Sequence, residues 1–252
     1  MASAEPFSDR HVPRGKRQHK REARRHRHPR SGLRHLSTIL LSAGFALALL
    51  GAAMPRLFAA AQVAEYGTLS ERLGRQQLDG AELSRAIGDH RDALRWFEDG
   101  RTRGDLGQIY FAAGRLYLDD PLRRRALLLQ AAEQDREALS RDPGQPFLWT
   151  QLAVALAQTQ GMGEDFRRVL HQSIVVAPRT QRLIFVRADL GLRAWPLLDA
   201  ATQELVTGQI VQAVEQDPPR FRRSIPGPNH RRLVRHLLAV ENPELIDRFL
   251  RQ

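Results

Sequence analysis

Apolar positions along the chain follow two patterns. From Leu36 to Pro55 they are nearly continuous, LSTILLSAGFALALLGAAMP, with no charged residue; Arg34 and His35 stand before the run and Arg56 after it. About twenty residues at ~1.5 Å rise match a hydrocarbon core of ~30 Å. The hydroxyls of Ser37, Thr38 and Ser42 can bond back to the preceding helical turn, so they do not oppose insertion. This pattern predicts one transmembrane helix over residues 36–56. Beyond it the apolar residues recur every three or four positions, first as the stripe Val63, Tyr66, Leu69, Leu73. That is the period of amphipathic helices, and no alternating strand pattern interrupts it.

The same period sets out a series of helices. A hairpin is predicted around residues 81–98, with Leu83 and Ile87 on one face, Gly88 ending the first helix, and Ala93, Leu94 and Phe97 in the second. DLGQIYFAAGRLYL follows, with Asp105 as its cap or first-turn acid. Pro121 opens a long helix that ends before Asp142-Pro143, and Asp119-Asp120 suit a cap ahead of it. The next helices close at Gly161, at Ala177-Pro178, before Pro196 and at Asp217-Pro218. FRRSIPGPN is expected to be a linker ahead of a final pair, HRRLVRHLLAV and PELIDRFL. Pro143, Pro178 and Pro218 stand 35 and 40 residues apart. A period in the mid-thirties built from two antiparallel helices is a helix-turn-helix repeat signature, and Pro fixes where each unit stops.

Residues 146–178 resemble the tetratricopeptide repeat. Trp149, Leu152, Ala153 and Leu156 match its first helix; Phe166, Leu170, Ser173 and Pro178 match its second helix and stop, across a turn containing Gly161 and Gly163. The preceding unit matches through Leu106, Gly107, Tyr110, Ala131, Ala138 and Pro143, and the following one through Ala213 and Pro218. The resemblance implies an all-α array of degenerate tetratricopeptide-like helix hairpins over residues 101–219. It would be preceded by membrane-proximal helices over 57–100 and followed by a C-terminal helix pair over 220–252. A second resemblance runs from Trp149 through SIVVAPRTQRLIFVRADLGLRAWPLL, carried by Ser173-Ile174, Pro178, Arg187, Leu190-Gly191-Leu192 and Trp195. These residues resemble the VpsP-type group of membrane-anchored proteins that accompany bacterial polysaccharide synthesis and export. It implies an accessory role without catalytic residues.

Charge changes the picture at one end only. Residues 1–35 hold eleven Lys and Arg against three Asp and Glu, a net of +8 out of the chain's +11, which leaves +3 for the long remainder. The basic character belongs to the tail and gives no ground for a nucleic-acid-binding domain. Rich in charge and broken by Pro13 and Pro29, residues 1–35 are expected to be a disordered cytoplasmic tail. The run sets topology by the positive-inside rule and can also hold anionic lipid headgroups. The domain after the helix is then expected in a periplasm-like space of a bacterium, anchored in the inner membrane. Ala59 and Ala61 form an A-x-A pattern that would allow cleavage after Ala61; Arg56 and the long basic region favour an uncleaved anchor.

Candidate chemistry is sparse. The chain has no Cys, so disulfides, thiolate zinc sites and thiol nucleophiles are excluded. Lys occurs only at Lys16 and Lys20, so no lysine chemistry is available after the membrane helix. No GxSxG, Walker loop, HExxH or GxGxxG occurs. No catalytic, cofactor-binding or metal-ligating residue is therefore assigned, and no cofactor is expected. Trp149, Arg187 and Trp195 are the candidate partner-binding residues, because aromatic and Arg side chains dominate binding hot spots. Both Trp side chains also suit structural roles, and Arg187, set in the apolar run LIFVRADLGL, needs a partner such as Asp189 or Asp199. Leu127-Leu128-Leu129 and Leu237-Leu238 read as core faces, and Arg123-Arg124-Arg125 as a solvated one.

The expectation is a single-pass, non-catalytic scaffold for protein partners in envelope or exopolysaccharide assembly, with no specific nucleic acid. A polysaccharide-modifying enzyme is one rival. The other is a regulator whose tail binds lipid or nucleic acid while the outer domain senses.

Overall fold

A computed structural model describes residues 30–66, 72–73, 75 and 79–250. The expectations placed on residues 1–29 and on Leu69 lie outside the described residues. Two compact units divide the chain, residues 1–49 and 50–252.

Eleven α-helices and no strand occur among the described residues. In order they are α1 Arg30–Val63, α2 Gly80–Trp96, α3 Gly100–Leu116, α4 Pro121–Arg141, α5 Pro146–Thr159, α6 Glu164–Val176, α7 Ile184–Ala194, α8 Ala200–Gln216, α9 Pro218–Ser224, α10 Pro228–Glu241 and α11 Glu244–Leu250. The protein is all-α, and α1 is long and apolar enough to cross a membrane.

α1 runs past the predicted end at residue 56. Pro55 lies inside it, and a 3₁₀ turn over Ala64–Tyr66 completes it. A proline removes one N–H and crowds the preceding turn, yet helical pairing resumes on both sides of it.

The short connections are set by caps. Asp79 accepts from the Glu82 amide while the Glu82 carboxylate accepts from the Asp79 amide, a closed capping box at the start of α2. Asp99, Asp120, Asp199 and Asp217 cap α3, α4, α8 and α9 in the same sense. Three expectations are corrected here. Gly88 does not end a helix: α2 is continuous, and a Cβ at Gly88 would meet nothing within 4 Å. Asp105 is not a cap, because α3 begins a turn and a half earlier under Asp99. Residues 221–224 are not linker: Pro218-Pro219, which end α8, also open α9, where their missing amides cost nothing, and Phe221 is fully buried. The stops at Asp142, Ala177 and Asp217 fall where the prolines require.

α3 and α4 run antiparallel and very close. Along α3, Gly100, Gly104 and Gly114 meet Arg141, Ala138 and Leu128 of α4 in reverse order. Between them Gly107 packs against Asp135 so tightly that a Cβ would collide with its carboxylate. α4 and α5 pair in the same sense through Asp135–Gln151 and Arg124–Gln158. Gly191 of α7 lies against Val206 of α8, where a Cβ would fall 2.6 Å from Cγ2. Alternate helices also touch, α3 with α5, α5 with α7 and α6 with α8. Ala153 and Ser173, small for close helix approach, are both fully buried. One core runs from α4 to α11, and smaller clusters join α2, α3 and α4. Of the leucine triplet in α4 only Leu128 is fully buried; Leu129 is 38% exposed, on the far side of the helix.

Candidate functional site

Because α3, α5 and α7 lie side by side, their shared face forms a groove of about 790 Å³. α3 presents Gln108, Phe111 and Arg115 along it, at spacings of three and four. α5 presents Phe147, Gln151, Val154 and Gln158, at four, three and four, and α7 adds Val186. Gln151 and Gln158 also bond to Asp135 and Arg124 of α4, so the groove runs along the edge of the α4–α5 contact. Leu116, Leu118 and Phe147 stand largely exposed on its wall. Arg115 and Arg124 are its only charged lining residues among those described, so no carboxylate faces the groove. Arg124 Nη2 donates to Gln158 Oε1 at 2.6 Å, tying α4 to this wall.

Beneath the groove runs a polar seam. Asp135 of α4 is fully buried, and Gln151 Nε2 donates to both of its oxygens at 3.0 Å. Burial pushes the Asp135 carboxyl well above its usual range; the Gln151 bond opposes this only in part. The next residue, Thr150, accepts from Arg187 Nε at 3.2 Å and itself donates to the Pro146 carbonyl at 2.9 Å. Asp135 was not singled out in the sequence, where it falls within the long helix that Pro121 opens. The available signal was its spacing, four after Ala131 and three before Ala138, both core residues.

Arg187 is fully buried, and its expected carboxylate partners are elsewhere. Asp189 pairs with Arg193 at 3.0 Å, and Asp199 caps α8. Arg187 Nη1 donates instead to the Ala177 carbonyl at 2.8 Å, at the C-terminus of α6. The adjacent Pro178 carbonyl accepts from Gln209 Nε2 of α8 at 2.7 Å. A helix C-terminus carries partial negative charge and unpaired carbonyls, so it offsets the guanidinium charge in part without a carboxylate, while Arg187 Nη2 is buried with no hydrogen-bond partner among the described residues. Burial pulls the Arg187 pKa down to about 10, which leaves it charged at neutral pH.

The three candidate binding residues are not gathered in one place. Trp149 faces a second hollow of about 530 Å³ with Arg136, Asp165 and Arg168, and its Nε1 donates to the Pro143 carbonyl at 2.8 Å. Trp195 is half-buried in the turn after α7, where its carbonyl accepts from Gln203 Nε2 at 3.1 Å. Neither Arg187 nor Trp195 lines this hollow or the groove.

No family model, no curated protein and no solved structure matches the chain. The site therefore rests on its own geometry. His90 and His171 have local partners, the Ala86 carbonyl at 2.8 Å and Thr202 Oγ1 at 2.9 Å. Burial is the main influence lowering the His90 pKa. Among the described residues no group of three His, Asp or Glu side chains is placed to hold a metal ion.

Proposed function

We propose that the chain is a membrane-anchored, non-catalytic scaffold whose outer helical domain holds a protein partner in the groove between α3, α5 and α7. The observation that carries this reading is the groove itself. It is long, open, mostly apolar and cationic at one end, and its residues come from neighbouring helices that line it at helical spacing. Large exposed apolar patches mark interaction surfaces, and stacked helices offer a long face without any reactive group. The two-helix period and the matches in residues 146–178 support a tetratricopeptide-like design for this array. The resemblance to the VpsP-type group suggests an envelope or exopolysaccharide assembly as its setting. The basic tail before α1 supports an orientation with residues 1–35 in the cytoplasm and the array in the periplasm of a bacterium.

Site-specific photo-crosslinking in intact cells tests this. A crosslinking side chain at Val154, in the groove, should capture a discrete partner band. One at Val175, exposed on α6 and outside the groove, should not. Equal capture at both positions, or none at Val154, would reject the groove as the binding surface.

A further inference from the structure

Past the uncharged run, α1 continues along α2. Tyr66 Oη donates to Asp89 Oδ2 at 2.7 Å, Phe58 stacks on Trp96 with ring centroids 5.0 Å apart, and the Arg56 guanidinium lies 4.6 Å from the centre of the Phe97 ring. As the residue number along α1 and its 3₁₀ extension falls from 66 to 56, the partner number rises from 89 to 97. α2 therefore runs back along α1, and its C-terminal end is the part that meets the edge of the uncharged run. Phe58 is three residues beyond Pro55, or ~4.5 Å along the axis.

Trp96 is fixed at that height by its stack on Phe58 and is still 53% exposed. Tryptophan suits the boundary between hydrocarbon and water, where its ring is in an apolar setting and its N–H is wet. The charges around it suit the same place. Arg56 Nη1 donates back to the Ala52 carbonyl at 3.2 Å, and Arg91 and Arg95 are exposed on α2. The nearby acids are engaged: Asp92 with Arg95 at 2.6 Å, Glu98 with Arg103 at 2.7 Å and Arg141 at 2.9 Å, and Asp99 in the α3 cap.

We propose that the C-terminal end of α2 is a lipid contact: Trp96 and Phe97 seat in the phospholipid headgroup and carbonyl region of the bilayer that α1 crosses. The inference rests on α1 spanning that bilayer.

Depth-dependent fluorescence quenching in vesicles of zwitterionic and anionic phosphatidyl lipids tests it. The full chain carrying Trp149→Phe and Trp195→Phe keeps Trp96 as its single Trp. Lipids brominated near the carbonyl end of the acyl chain should quench its emission strongly, and lipids brominated near the methyl end only weakly. A control with Phe45→Trp as its single Trp, with Trp96→Phe added, should show the reverse order. If the double Phe variant fails to fold, the parent is compared with Trp96→Phe alone: the shallow-quenched part of the emission should disappear. Unquenched Trp96 beside a deeply quenched Trp at position 45 would overturn the lipid contact and leave the anchor intact. Loss of quenching at both positions would overturn the anchor, and with it this inference. Quenching of Trp96 that needs high protein density, and vanishes on dilution into excess lipid, would assign the surface to a second copy of the chain and also overturn it.

Discussion

The same residue types meet opposite surroundings in two regions of this molecule. Between Leu36 and Phe58 the large apolar side chains are exposed, Leu41 by 75% and Phe45 by 68%; in the array Leu152, Leu156 and Leu170 are almost wholly enclosed. Gly44 and Gly51 of α1 have open space where a Cβ would go, whereas Gly107 and Gly191 are pressed against neighbouring helices. Each leucine removed from water contributes roughly 1.5–3 kcal/mol, whether the removal is into protein or into lipid. The array satisfies that drive with its own helices. α1 has the length and composition to satisfy it with a bilayer.

Substitutions that act in one region and not in the other sharpen this contrast. The largest effect should come from charge. Placing Arg at both Leu47 and Leu50 costs roughly 5–7 kcal/mol for transfer to lipid and should move the chain out of the membrane fraction. Leu156→Arg should leave fractionation unchanged while abolishing the cooperative melting of the array, read by circular dichroism in detergent.

The close helix contacts give a second contrast of a few kcal/mol. Gly191→Ala drives a methyl into Val206, and Gly107→Ala drives one into Asp135; each should cost about 1–3 kcal/mol and lower the melting temperature by several degrees. Gly44→Ala should do nothing measurable to either melting or membrane retention. Equal effects in both regions would break the comparison.

Arg187→Ala leaves the Ala177 carbonyl and Thr150 short of a donor and opens a cavity, so a loss of about 2–4 kcal/mol is expected. Arg187→Met fills the volume without burying a charge and should cost clearly less in the same denaturant titration. A larger loss for Met than for Ala would mean that the guanidinium does more than cap α6.

The smallest effect depends on pH. Because burial raises the folded-state pKa of Asp135, the folded protein holds a proton there that the unfolded chain releases above about pH 4. Stability from this site is thus fully present below the unfolded pKa and is lost as pH rises toward the folded one. Asp135→Asn, which keeps the pairing with Gln151, should melt a few degrees higher than the parent at pH 8, with the difference closing near pH 4. A constant difference across that range would contradict the protonated seam.

Much of the fold was legible, for identifiable reasons. An uncharged run can be read without tertiary knowledge, and the prolines at 143, 178 and 218 each mark a helix stop, whereas Pro55 lies inside α1. Gly88 misled because a helical glycine costs only about 1 kcal/mol, which the capping box at Asp79 and the packing of Leu83, Ala86 and Ala93 outweigh. Asp105 misled because the stronger cap, Asp99, stands seven positions before the first apolar residue of the helix, Leu106. The groove was not legible. Its residues become a site only when α3, α5 and α7 lie side by side, and the sequence marks them only as one more helical spacing, Gln108–Phe111–Arg115 and Gln151–Val154–Gln158. Arg187 was recognised as needing compensation, but the choice between a carboxylate and a helix end depends on where α6 stops in space.

The chain has no Cys, so a single one can be introduced cleanly, and this gives the most direct test that α1 places its two flanks on opposite sides of a membrane. Ser8→Cys and Glu215→Cys are made separately and exposed to a membrane-impermeant maleimide in osmotically stabilised spheroplasts. Labelling at position 215 in intact spheroplasts, and at position 8 only after lysis, is the predicted result. Labelling of both before lysis, of neither, or in the reverse order would contradict the account.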